Sequence, residues 1–135
     1  MSGRALLFAI AIFIAIAAGA AAGQGAGTAN ADAPAREIDA LVAALGEADC
    51  EFRRNGRWHG AGEARAHLQR KLDWARRRGM AGRAEDFIER AASRSSLTGR
   101  EYRVRCRDGY EGTSADWFGR ELRRLRQANS SQPPR

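Results

Sequence analysis

The sequence predicts an α+β fold: about four helices packed on one face of a small antiparallel sheet (a hairpin plus one strand), held by one disulfide. Three observations carry this expectation. Apolar residues recur at helical spacing in four separate segments. Asn55-Gly56 lies between Phe52 and Trp58 as a hairpin turn, and residues 101–107 (EYRVRCR) alternate apolar with charged side chains. With 135 residues, two cysteines and no internal repeat, the chain has room for one domain with a modest core.

The first 31 residues stand apart. Arg4 gives a positively charged start, Ala5 to Ala22 is an unbroken apolar and small-residue stretch, and Ala29-Asn30-Ala31 places small residues at −3 and −1. No charged residue lies between Arg4 and Asp32. Together these are the three parts of a secretory signal peptide, residues 1–31. Cleavage sites are offered after Ala20, Ala22 and Ala31, with Ala31 favoured. The rival reading is an uncleaved anchor, since a bilayer needs about 18–20 apolar residues. The far half is Ala and Gly rather than Leu or Ile, which weakens lipid partitioning and suits cleavage. The mature protein is therefore expected to be periplasmic or secreted, and not membrane-spanning.

Beyond the leader, residues 32–35 are expected to be a flexible lead-in, 36–126 a single α+β domain, and 127–135 (QANSSQPPR) a disordered tail. Ile38, Leu41, Val42 and Leu45 form the apolar stripe of a first helix from Arg36, with Pro34 and Asp39 near its start. Gly46 and the acidic Glu47 and Asp49 end it. Cys50 to His59 reads as a short hairpin. A longer helix runs from Ala61 to about Arg78, with Ala64, Leu68, Leu72 and Ala75 inward and Glu63, His67, Lys71 and Trp74 on the adjacent face. Arg76, Arg77 and Arg78 complement its dipole, and Gly79 stops it. A third helix covers Arg83 to Ser95, with Ala84, Phe87, Ile88 and Ala91 inward, before Ser95-Ser96-Leu97-Thr98-Gly99 breaks the pattern. Tyr102, Val104 and Cys106 share one face of a strand. Asp108-Gly109 turns the chain, and Thr113 or Ser114 caps a last helix that buries Trp117, Phe118, Leu122 and Leu125.

Export decides how Cys50 and Cys106 are read, because an oxidising compartment favours pairing them. A redox role calls for Cys-x-x-Cys or a partnered lone thiol, and neither is present. The net charge is +7. A basic exported protein could be drawn to anionic lipid headgroups, lipopolysaccharide or acidic cell-wall polymers, so the partner is expected to be an anionic envelope ligand or an envelope protein. Lys71 is the only lysine, an arginine bias that base composition explains as readily as a binding surface does. Outside the cytoplasm nucleic acid is not an expected partner.

The run Cys50-Glu-Phe-Arg-Arg-Asn55-Gly56, then Glu63-Ala64, His67-Leu68 and Lys71, resembles a family of small exported bacterial proteins. Ala84-Glu-Asp-Phe87-Ile88, Ala92-Ser93-Arg-Ser95-Ser96-Leu-Thr-Gly99, Tyr102, Asp116-Trp117 and Leu122 continue the same pattern. It is similar to the YfeK-like proteins, a domain of unknown function, over nearly the whole chain after the leader. The resemblance implies export and a shared fold; it implies no activity. The family usually has Thr or Ser where this chain has Arg83, which puts the cap of the third helix in question.

Three constellations bear on chemistry. His59, Glu63 and His67 are spaced by four, as zinc ligands on a helix can be. However, HExxH is absent, Gly60 and Gly62 place His59 off the helix, and no fourth ligand follows, so no metal or cofactor is assigned. His67 with Ser95 or Ser96 is the minimum for acyl transfer, but G-x-S-x-G is missing and the serines suit a turn. The third constellation is Asn55, His67, Lys71, Ser95, Ser96 and Tyr102. If the fold gathers them they make a polar cleft for an anionic or peptide-like ligand. The competing reading is a network that locks the hairpin and the serine loop onto the helix. Trp58, Trp74 and Trp117 are read as core or rim, while an exposed Trp58–Trp74 pair would mark a protein-binding surface.

The expectation is an exported cell-envelope protein acting as a small binding or interaction module. The alternative is a small hydrolase or metal-dependent enzyme using His67. N-terminal sequencing of the exported protein should read Asp32 first; an intact Met1 would show an anchor instead.

Overall fold

A computed structural model describes residues 31–133. The leader expected over residues 1–31 lies, but for Ala31, outside the described residues. The elements are α1 (Ala33–Glu47), β1 (Cys50–Arg54), β2 (Arg57–Gly60), α2 (Ala61–Arg77), α3 (Ala84–Phe87), β3 (Arg103–Cys106), β4 (Glu111–Thr113) and α4 (Ser114–Ser130). The α+β class holds: four helices and an antiparallel sheet of order β2-β1-β3-β4. Among the described residues no helix is long and apolar enough to cross a membrane.

β1 lies second in the sheet and organises it. Asn55 (φ 49°) and Gly56 (φ 85°) both occupy the left-handed region, the type I′ geometry whose twist matches the flanking strands. The turn sets the register Phe52↔His59 and Arg53↔Trp58. On the other side β1 pairs with β3, placing Phe52 opposite Val104 and Cys50 opposite Cys106. The two cysteines are disulfide-bonded with Cα atoms 4.0 Å apart. Alternation then sends Phe52 and Val104 into the core and Glu51, Arg53, Arg103 and Arg105 to the opposite, solvent face.

The helices cover the inner face. Ile38, Leu41, Val42 and Leu45 of α1 meet Leu68 and Leu72 of α2 in one buried cluster. Trp117 packs edge-on to Phe52 at 5.5 Å and to Phe118 at 4.9 Å between ring centroids, which fills the space between α4 and the sheet. Thr113 caps α4 by accepting from the Asp116 amide at 3.1 Å. Arg126 of α4 reaches Glu37 of α1 (2.8 Å) and Glu85 of α3 (2.7 Å), joining three helices at the surface.

Four expectations need correction. α1 begins at Ala33, so the lead-in of residues 32–35 is mostly helix; Ala has the highest helix propensity, and Pro34 suits a first turn. The tail expected from Gln127 is helical through Ser130, where the Ser130 and Ser131 hydroxyls bond back to the carbonyls of Arg126 and Gln127. The third helix changes to a π-helical turn over Ile88–Ala92. Finally, the sheet has a fourth strand, β4, whose three residues (EGT) carry no alternation signal and are held by the ladder to β3. Arg83 has no side-chain cap bond; Asp86 instead reaches back to the Arg83 amide at 3.0 Å, half of a capping box.

The disulfide closes a long loop, with a sequence separation of 56. A Cys50→Ser, Cys106→Ser double variant should lose about 4 kcal/mol in the chain-entropy account. That is a large share of the roughly 5–15 kcal/mol usual for a domain. Urea unfolding should show the midpoint fall steeply; an unchanged midpoint would refute the estimate.

Candidate functional site

The sequence places an arginine on the inner face of β1. Cys50, Phe52 and Arg54 alternate inward, so the Arg54 guanidinium meets α2 rather than water. There it donates to His67 Nδ1 at 2.8 Å. The same guanidinium nitrogen lies 3.4 Å from Nε2, and a guanidinium has no acceptor, so the shorter contact favours the tautomer in which Nδ1 offers its lone pair and Nε2 carries the proton. Nε2–H points to the Tyr102 hydroxyl at 3.4 Å, with the two rings edge-on.

One turn further along α2, the Lys71 ammonium donates to the carbonyls of Ala91 (2.5 Å) and Arg94 (3.2 Å). It also approaches Tyr102 Oη at 3.4 Å. The π-helical turn ends with carbonyls that have no partner within the helix, and Lys71 satisfies them as a cation at a helix C-terminus. The Ser93 hydroxyl bonds the Ile88 carbonyl at 2.5 Å in the same stretch. Tyr102 is buried. His67, Lys71 and Tyr102 thus tie α2, the π-helical turn and the start of β3 together.

The electrostatics are one-sided. Burial, then the nearby charges of Arg54, Lys71 and Arg70, push the His67 pKa down to about 4. Burial, with Arg54 adding to it, pushes Lys71 down to about 8. Burial raises Tyr102. The nearest carboxylate on this face of α2, Glu63, is engaged by His59 Nδ1 at 2.7 Å.

Two hollows flank His67. Toward the core, a cavity of about 40 Å³ lies between α2 and β1, walled by Leu45, Phe52, Leu68 and Phe118. It has room for water-sized contents and is far below the roughly 300 Å³ of a ligand pocket. Outward, a groove of about 380 Å³ runs between α2 and the π-helical turn, lined by Arg70, Lys71, Trp74, Met80, Arg90 and Ser96. Trp74 and Met80 are 46% and 49% exposed there.

Of the six polar residues singled out from sequence, the structure gathers His67, Lys71 and Tyr102, and Ser96 lines the groove beside them. Asn55 and Ser95 go elsewhere. Ser95 is buried, and its hydroxyl accepts from the amides of Leu97 (3.4 Å) and Thr98 (3.3 Å). Asn55 Oδ1 accepts from the Thr98 hydroxyl at 2.7 Å, joining the hairpin tip to the serine loop. The hydrolase alternative finds no support here, because Ser95 serves a turn and His67 Nδ1 is taken by a guanidinium. Among the described residues no three His, Cys, Asp or Glu side chains gather as metal ligands; His67 stands among cations, and His59 pairs with Glu63. Trp58 and Trp74 do not pair; Arg105 stacks on Trp58 at 4.2 Å and Arg78 on Trp74 at 4.1 Å. Arg54 was missing from the expected set, although period-two counting from Phe52 places it on the inner face.

Residues 32–126 match the family of unknown function DUF5329, and the chain belongs to that family. Its relatives include the uncharacterized protein YfeK of Salmonella typhimurium (strain LT2), 44% identical over 66 residues. That match covers 48% of this chain and 53% of the relative, so the chain spans about half the length of the curated protein it matches. No solved structure matches the chain.

The His67 environment yields a stability prediction. The unfolded chain takes up this proton near pH 6.5 and the folded chain only near 4. Stability is therefore full above pH 6.5 and is lost progressively as pH falls toward 4. His67→Gln should flatten this part of the urea-midpoint profile relative to wild type. Parallel profiles for the two proteins would refute it.

Proposed function

We propose that this protein is an exported module of the cell envelope that binds an acidic segment of a partner protein in the groove beside His67. One observation carries the reading. Arg54, Arg70 and Lys71 surround a neutral histidine, and among the described residues none of the three has an ion pair; Glu63, which borders the same cavity as Arg54 and His67, is taken by His59. Arg54 and Lys71 are partly buried, where a cation without a counter-charge is costly, and a bound carboxylate would relieve them.

The groove's other features agree. Arg90 joins Arg70 and Lys71 as the third cation lining the groove, and Trp74 and Met80 offer apolar contact of the kind found at protein-recognition surfaces. Periplasmic or secreted localisation is supported by the leader pattern and by the Cys50–Cys106 bridge, which oxidising compartments favour.

The test is fluorescence anisotropy with a labelled oligoglutamate peptide. Lys71→Ala and Arg90→Gln should each weaken binding by about tenfold, as loss of a charge-assisted contact does. Arg90→Gln guards against misfolding, because Lys71 also caps the π-helical turn. Binding should further decline as pH rises through about 8, where Lys71 loses its proton. Wild-type affinity in both variants would overturn the reading.

A further inference from the structure

The solvent face of the sheet carries two cross-strand pairs with opposite electrostatic logic. Glu51 of β1 faces Arg105 of β3, and the two form an ion pair at 2.7 Å. One step along, Arg53 directly faces Arg103. Like charges at directly opposed positions of adjacent strands destabilise the pairing. Among the described residues Arg53 and Arg100 have no ion pair, and Arg103 reaches Glu101 only at 3.9 Å. Arg105, the neighbouring arginine of β3 on this face, is compensated by Glu51 and by the Trp58 ring, so the Arg53–Arg103 pair is a local departure from that pattern.

These side chains border a groove of about 300 Å³, together with Arg100, Glu101 and the hairpin tip at Asn55-Gly56. The groove is rich in donors. Arg53, Arg100 and Arg103 all line it, and Thr98 occupies the Asn55 acceptor, which leaves the Asn55 amide nitrogen to donate. Glu101 offsets one of the three positive charges, so the excess equals the charge of a phosphate dianion. Guanidinium forks match carboxylate and phosphate oxygens alike, but a terminal phosphate offers three oxygens to three arginines where a carboxylate offers two.

We propose that this groove binds a phosphate group, carried either by a lipid headgroup or by a small soluble phosphate ester. The site lies on the outer face of the sheet, opposite the helices, and is independent of the groove beside His67. Bound phosphate neutralises the Arg53–Arg103 repulsion, so occupancy also stabilises the β1–β3 pairing.

Two probes test this at fixed ionic strength: inorganic phosphate, followed by the guanidinium Nε–H resonances of Arg53 and Arg103, and co-sedimentation with phosphatidylcholine vesicles with and without phosphatidate. Saturable shifts with inorganic phosphate would identify a soluble source; sedimentation with phosphatidate vesicles alone would identify a headgroup. In either case Arg53→Gln and Arg103→Gln should each weaken binding by about tenfold or more. Arg124→Gln, an equal charge change at a site already paired with Glu121, should leave it unchanged. Arg90→Gln, in the other groove, should also leave it unchanged, which separates this site from the first. Binding to neither probe, or equal loss in Arg53→Gln and Arg124→Gln, would overturn the proposal.

Discussion

The register of β1 is the constraint on which the rest depends. Five residues supply the first half of the disulfide, a core aromatic, the inward arginine of the His67 cluster and two outward charges. Side chains alternate strictly along a strand, so a slip of one residue would exchange all of these between faces. Phe52 would point to water and Arg53 to Trp117. Two local devices prevent this: the left-handed Asn55-Gly56 turn at one end and the bridge from Cys50 to Cys106 at the other. The sheet is short, and register fixed at both ends lets strands of three to five residues persist.

Lys71 shows how a polar residue can be structural and accessible at once. Its ammonium satisfies carbonyls that the π-helical turn leaves open, while its flank lines a solvent groove. Tyr102 stands behind it, its ring buried and its hydroxyl met by both His67 and Lys71. Network and cleft were rival readings of these residues; the geometry shows that a network builds one wall of the groove. Asn55 and Ser95 belong to a second network, through Thr98, that fixes the serine loop to the hairpin tip.

Most of the fold was legible because its signals are local and periodic. The stripes of α1, α2 and α4, the Asn55-Gly56 turn and the alternation around Val104 each follow from spacing alone. β4 was not legible, since a Glu-Gly-Thr strand is defined by its neighbour's hydrogen bonds rather than by its own side chains. Nor was the π-helical turn, whose sequence (IERAA) is an ordinary helical one. The site was half legible. His67, Lys71 and Tyr102 stood out as polar residues amid core positions, but Arg54 reads as one charge in a run of charges until the strand's inner face is counted out.

The two-cysteine inventory has a consequence for how the protein matures. Two thiols admit a single intramolecular pairing, so there is no non-native bridge within one chain to undo. Maturation then calls for an oxidant and no isomerase. The sole wrong product is a bridge between chains, whose yield grows with concentration, whereas the correct closure does not depend on it. Dilution, rather than disulfide shuffling, is what keeps this fold on course.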